Sequence, residues 1–169
     1  VRTSSRLLVQ DGHPVGILAV VTDLTDQREA QERLRQLSRA VEASSSVVVI
    51  TDRAGLITYV NPKFTEVTGY RADEALGQNP NILKSGEMPP ETYQEMWETV
   101  AAGREGRGEF YNRRKDGSEY VGFAIVGPLR QPDGHISHYV CVMEDITEKK
   151  RVGLELDRHR HHLERVVES

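Results

Sequence analysis

Two stretches of the chain, DGHPVGILAVVTDLTD (Asp11 to Asp26) and DGHISHYVCVMEDITE (Asp133 to Glu148), align without a gap at an offset of 122 residues. Each reads as an Asp-Gly-His turn, an apolar strand, and an Asp-Leu/Ile-Thr exit into a charged, helix-prone run. Turn, strand and exit recurring together mark a tandem array with a unit of about 120 residues. A domain map follows. Residues 1–25 are expected to be the closing hairpin of a preceding copy, 26–37 a helical linker, 38–148 one complete domain and 149–169 an exit helix. The chain begins on Val1, which carries the expectation that it is part of something longer.

A length of 169 residues suffices for one such domain with extensions. A net charge of −4 and 37% hydrophobic residues fit a folded, soluble chain and argue against a nucleic-acid-coating or disordered one, so no nucleic-acid partner is expected. Cys141 is the single cysteine, which rules out an intrachain disulfide and any multi-cysteine metal site; no metal is expected. One cysteine fits a reducing, cytoplasmic setting. No apolar run approaches the ~20 residues that span a bilayer, so direct membrane insertion is not expected.

Within the complete unit, SVVVITD and LITYVN read as paired strands across the turn RAG. Asn61-Pro62 opens a short helix as cap and first-turn proline, and Gly69 ends it. RADEALGQNP is a single turn and NILKSG is irregular. PPETYQEMWETVAAG is a helix with Tyr93, Met96, Trp97 and Val100 on one face. Three strands follow, Gly108 to Asn112, Glu119 to Leu129 and Ser137 to Met143, joined by the turns RKDGS and QPDGH. The order predicts an α+β domain: one five-stranded antiparallel sheet with short helices on one face, thin enough to leave a pocket over the sheet.

The flanks are amphipathic. Ala30, Leu34, Leu37 and Val41 form one helical seam, and Val152, Leu156, Leu163 and Val166 a second, with His159 on it. They predict coiled-coil helices that pair in parallel across a homodimer; packing of each helix on its own domain is the other reading.

ITDRAGLITYVNPKFTEVTGYRADEALGQNP, with NRRKDGSEYV and the exit EDITEKK, resembles the PAS (PAS/PAC) sensor-domain family over roughly residues 38 to 150. The resemblance implies the PAS fold and assigns Asp145, Ile146 and Thr147 to the family's signal-transmission junction, with Asp23, Leu24 and Thr25 as the upstream equivalents. It also implies a choice of pocket content: flavin, haem, a small acid or nothing. Haem in this family usually hangs from a histidine on the long helix, and none lies between Pro89 and Gly103. Light-sensing LOV members carry a cysteine in the segment that here reads GQNPNILKSG, without a thiol, and a last-strand glutamine where this chain has Met143. Cys141 reads as a small core residue.

The run from GQNPNILKSG to NRRKDGSEY is similar to the redox-sensing flavin domains of nitrogen-fixation and methane-oxidation regulators, which implies FAD. A flavin ring needs flat apolar walls and a few side-chain amides at its edge. Asn112, an amide among apolar strand residues, is the expected edge reader, and a buried amide without a partner costs on the order of 1–3 kcal/mol. Trp97 is the expected wall, Asn79 and Asn81 meet the edge or the ribityl chain, and Arg114 of the RRK turn meets a pyrophosphate at the pocket mouth. Each has a structural alternative: Asn112 as a turn cap, Trp97 as core, Asn79 as a turn holder, the basic run as a solvated turn.

No phosphate loop, nucleophile elbow or useful carboxylate pair is present, so the chain itself is not expected to be an enzyme. HRHHLERVVES lacks the acidic residue and proline of a kinase acceptor helix and reads as solvated linker. The expected function is a cytoplasmic input module, sensing redox or a small ligand, beside a neighbouring PAS domain and an effector such as a sensor histidine kinase or cyclic-dinucleotide enzyme. The alternative is a cofactor-free dimerisation and relay module.

Overall fold

The computed structural model describes the backbone of residues 1–167 and the side chains of residues 1–163, and divides into two units, Val1–Ala40 and Val41–Ser169. In the first unit β1 (Arg2–Gln10) and β2 (His13–Thr22) form a two-stranded antiparallel ribbon. Asp11 and Gly12 make the turn with φ of 49° and 79°, the left-handed pair that a two-residue hairpin of matching twist requires. Both faces of the ribbon are exposed, Ile17 and Val21 among them. Asp23 Oδ1 accepts from the backbone N–H and the hydroxyl of Thr25, at 2.9 and 2.6 Å, and there α1 (Thr25–Glu42) begins. The helix runs past residue 37, where the linker was expected to end, because no glycine or proline interrupts it before Ser44. Leu34 and Leu37 of its seam are exposed.

In the second unit the elements follow in the order β3 (Val47–Asp52), β4 (Ile57–Val60), α2 (Pro62–Thr68), α3 (Ala72–Ala75), a 3-10 turn (Pro80–Leu83), α4 (Pro90–Ala101), β5 (Gly106–Arg113), β6 (Glu119–Arg130), β7 (Ile136–Asp145) and α5 (Thr147–Val167). The five strands lie in the order β4-β3-β7-β6-β5, antiparallel throughout, as the resemblance implies. The helices carry the chain from one edge of the sheet to the other, and the last three strands meander back to the centre. That route leaves the final strand beside the first, with α5 issuing from mid-sheet.

Asn61 holds the start of the helical layer. It is 1% exposed. Its Oδ1 accepts from Val48 N–H and Phe64 N–H at 2.9 and 3.2 Å, and its Nδ2 donates to the carbonyls of Val41 and Ser46 at 3.1 and 3.0 Å. One amide thus caps α2 and ties it to β3, and Phe64 behind it is fully buried. Phe64, Val47, Val49, Ile57, Leu83, Phe110, Tyr120 and Met143 belong to one core cluster.

The hairpin β6–β7 repeats features of β1–β2. Its register shifts between Leu129 and Arg130, as the first ribbon shifts between Leu8 and Val9. Asp145 Oδ1 accepts from the N–H and hydroxyl of Thr147 at 3.0 and 2.5 Å, as Asp23 does from Thr25. The connection differs: Gln131 to His135 closes the second hairpin where Asp11 and Gly12 close the first. Val152, Leu156 and Leu163 of α5 are exposed; the Val166 side chain lies outside the described residues. No described helix is long and apolar enough to cross a membrane.

Candidate functional site

Alternation along the central strands puts one set of side chains on the helical side of the sheet: Val49 and Thr51 of β3, Phe110 and Asn112 of β5, Ala124 and Val126 of β6, and Tyr139, Cys141 and Met143 of β7. With residues of α4 and the 3-10 turn they enclose a cavity of about 430 Å³. That lies within the roughly 300–1,000 Å³ of small-molecule and cofactor sites. Its size follows from the sequence: segments as short as α3 and the 3-10 turn cannot fill the space that one long helix would.

Asn112 lines the cavity and is 6% exposed. Its Nδ2 is 3.4 Å from the hydroxyl of Tyr120, its direct cross-strand partner, and 3.6 Å from Met143 Sδ. The contact to oxygen is long, and the one to sulfur is to a weak acceptor. Gly122 makes room for them, since a Cβ there would meet Met143 Sδ at 2.6 Å and Asn112 Nδ2 at 3.5 Å. The contrast with Asn61 separates two uses of one side chain. Asn61 satisfies its amide within the fold, whereas Asn112 holds a polar group in the cavity with capacity to spare. Burial pushes the Tyr120 phenol up to about 12, against the opposing pull of Asn112 and Arg114.

Trp97 of α4 lines the cavity, remains 45% exposed and packs on Tyr139 with ring centroids 5.1 Å apart. It also covers Gly55, whose φ of 82° and whose Cβ position 3.1 Å from the indole both call for glycine. Asn79 lines the cavity while its Oδ1 accepts from Asn81 N–H at 3.0 Å, capping the 3-10 turn; Asn81 lines it as well. Cys141 is on the wall, and burial pushes its thiol up to about 12, which keeps it neutral and unreactive at ordinary pH. The lining fits a planar heteroaromatic group: aromatic and aliphatic walls, a loosely held amide among them, and room for a ring.

Arg114, expected at the pocket mouth, is instead committed to the exit of the sheet. Its Nη2 donates to Asp145 Oδ2 at 2.5 Å, its Nε to the Val67 carbonyl at 2.8 Å and its Nη1 to the Glu119 carbonyl at 3.1 Å. Its guanidinium carbon stands 4.6 Å over the Tyr120 ring. A basic run after a strand gives no sign of which arginine turns inward, so its placement could not be read from sequence. Around it, Ile146 N–H donates to the Val121 carbonyl at 2.8 Å, and Val121 N–H to Thr147 Oγ1 at 2.9 Å. Lys149 and Lys150 of α5 pair with Glu144 and Glu109 on the sheet. Asp145, Ile146 and Thr147 are therefore brought together, bonded to β6 and, through Arg114, to α2.

Lys84, Gln94 and Tyr93 as a polar group were not anticipated in the cavity lining, nor was Tyr120 as the partner of Asn112 behind it. Tyr120 was within reach, since hairpin register places it opposite Asn112. Lys84 lies in an irregular stretch with no period to place it.

A family model described as PAS fold matches residues 35–146. The nitrogen fixation regulatory protein of Klebsiella pneumoniae is 35% identical over 129 residues, 76% of this chain and 26% of that protein. The blue-light-activated histidine kinase 1 of Erythrobacter litoralis is 32% identical over 114 residues, 62% of this chain and 31% of that protein. The chain thus spans roughly a quarter to a third of the length of these relatives. In fold it is similar to an RNA-binding light-oxygen-voltage receptor, with a TM-score of 0.69 at 21% identity over 95% of this chain and 43% of that one.

Proposed function

The chain belongs to the PAS family, and from that premise we propose that residues 38–148 are the cytoplasmic input module of a bacterial signalling protein, sensing redox state or a small ligand through a flavin held in the cavity, FAD in the first instance. The observation that carries this reading is the Asn112 amide, buried in the lining of an aromatic-walled cavity and held only by a long contact to Tyr120 and by the weak acceptor Met143 Sδ. A bound flavin supplies electron exchange, with a change of charge and proton load at its polar edge. Asn112 both donates and accepts, so it follows such a change by reorienting. Met143 beside it is unbranched and adapts its shape. Trp97 covers the outer wall and limits water.

From Asn112 the contacts lead through Tyr120 and Arg114 to Asp145, and from Asp145 to Thr147 at the first turn of α5. A ligand that favours one arrangement of Asn112 thereby biases the angle at which α5 leaves the sheet; such coupling needs two states that the ligand distinguishes. The exposed seams of α1 and α5 suit parallel pairing with a second copy of the chain. Shared register shift and shared Asp–Thr bonding support reading residues 1–25 as the closing hairpin of a preceding copy. The effector in the whole protein is then a sensor histidine kinase or a cyclic-dinucleotide enzyme, downstream of α5.

One observation favours a second reading, a cofactor-free dimerisation and relay module: Asn79 caps a turn and Trp97 packs on Tyr139 and Gly55, so both residues have roles within the fold itself. Titration of the purified chain with FAD and FMN, followed by flavin fluorescence, separates the two. The sensing reading expects saturable binding that Asn112→Ala weakens at least about tenfold; absence of binding to the unaltered protein leaves the relay module.

A further inference from the structure

Beyond Lys150, which still pairs with Glu109 of the sheet, every described side chain of α5 as far as Leu163 is exposed. A helical stretch of that length with nothing packed on it is marginal in water. Val152, Leu156, His159 and Leu163 fall on one line, in steps of four, three and four, and Val166 continues the spacing in the sequence. That is a heptad repeat, with Leu156 and Leu163 at a and Val152, His159 and Val166 at d. In this register Glu155 stands at g and Arg160 at e. Those positions face each other across a parallel pair of helices, and here their charges are opposite. An antiparallel pair sets e against e and g against g and gains no such attraction. Within one copy Glu155 pairs with Arg151 at 2.7 Å and Arg160 with Asp157 at 3.2 Å. Both are exposed pairs, which exchange partners at little cost.

We infer that α5 pairs in parallel with α5 of a second copy of this chain, and that His159, in the middle of the seam, makes the pairing sensitive to protons. The inference rests on the parallel-pairing reading above and deepens it. A d residue packs against its own counterpart and the neighbouring a and e positions of the facing helix. His159 therefore faces His159, Leu156, Leu163 and Arg160 of the second copy. On its own helix Glu155 lies one turn before it and His162 one turn after, both at g; Arg158 and Arg160 adjoin it, and Asp157 and His161 lie off the seam. Among the described residues no other element packs on this part of α5. Neutral imidazoles fit such a layer. Protonated ones bring two like charges into an apolar layer, beside the Arg160 guanidinium, and that opposes pairing. The paired state thus binds fewer protons than two separate copies. Pairing is strongest above the ordinary histidine range, about pH 6.5, and weakens as pH falls through it.

Sedimentation equilibrium of the full chain at about pH 8 and about pH 6 tests this. Two ordinary histidines that must both be neutral to pair raise the dimer dissociation constant about fifteenfold over that interval. His159→Leu keeps every other titrating group; it should tighten the dimer and hold the change between the two pH values under about threefold. His159→Lys carries its charge at both values and should weaken the dimer at both, by about tenfold at the higher. His162→Gln should titrate like the unaltered chain. A dimer of the unaltered chain that ignores pH, or a pH dependence that survives in His159→Leu, overturns the switch while parallel pairing stands. A His159→Lys variant that dimerises as well as the unaltered chain overturns pairing through this seam and the switch with it, as does an unaltered chain that stays monomeric at every concentration. The flavin reading is tested separately, by ligand binding, and stands or falls on its own.

Discussion

Asn112 Nδ2 faces the hydroxyl of its cross-strand neighbour Tyr120 at 3.4 Å, and the Tyr120 ring in turn lies beneath the guanidinium of Arg114. Two adjacent strand positions thereby join the cavity lining to the arginine that grips the exit of the sheet. The weakness of the first contact and the strength of the Arg114–Asp145 pair are what make the arrangement suited to reporting a change.

The two buried asparagines should respond oppositely to truncation. Asn61→Ala removes four hydrogen bonds, of which those to Val48 N–H and the Ser46 carbonyl have no backbone substitute among the turn and cap bonds, and is expected to cost about 2 kcal/mol or more. Asn112→Ala removes one long contact and one to a weak sulfur acceptor, and should change the stability of the ligand-free protein by less than about 1 kcal/mol. Urea unfolding of both variants checks this. A larger loss from Asn112→Ala would make its amide a structural member of the sheet.

Cys141 should behave as a buried thiol. Its pKa of about 12, against about 8.5 for a free cysteine, means that the unfolded chain ionises first. The folded state therefore loses stability as pH rises from about 8.5 towards about 12, and this group adds no pH dependence below that window. Alkylation of the native protein by iodoacetamide should be slow at pH 8 and keep climbing with pH. A plateau near pH 9 would show a thiol of ordinary acidity.

Asp145→Ala and Arg114→Gln break one ion pair from its two ends. In the full-length protein each should abolish the difference in effector activity between signal states while leaving cofactor affinity unchanged. The double variant should be no worse than either single one, as expected of partners in one contact. Normal switching in Asp145→Ala would place transmission elsewhere.

Removal of residues 1–25 should leave the second unit folded, because its core cluster draws only on residues from Val47 onward. Thermal unfolding is expected to shift by no more than a few degrees. The exposed apolar faces of the ribbon favour association, so the shortened chain should self-associate less in sedimentation. Equal association would assign dimerisation to the helices alone.

The sheet and its order were legible because strand and turn signals are local: β-branched runs, Asp-Gly turns, and Asn61-Pro62 at a helix start. Trp97 and Asn112 were legible as cavity residues, the one because it sits on the apolar face of the long helix and the other because an amide breaks an apolar strand. Arg114 was not, since its partner Asp145 is 31 residues away and only the folded sheet brings them together. Lys84 and Tyr93 meet through a similar accident of packing, and neither composition nor period announces it.

The absorption spectrum of the purified protein tests the central claim most directly. Oxidised flavin absorbs blue light, so the protein is predicted to carry a visible band that stays with it through gel filtration, is released on denaturation and is absent from Asn112→Ala. A colourless protein that acquires no band on incubation with FAD or FMN would contradict the account.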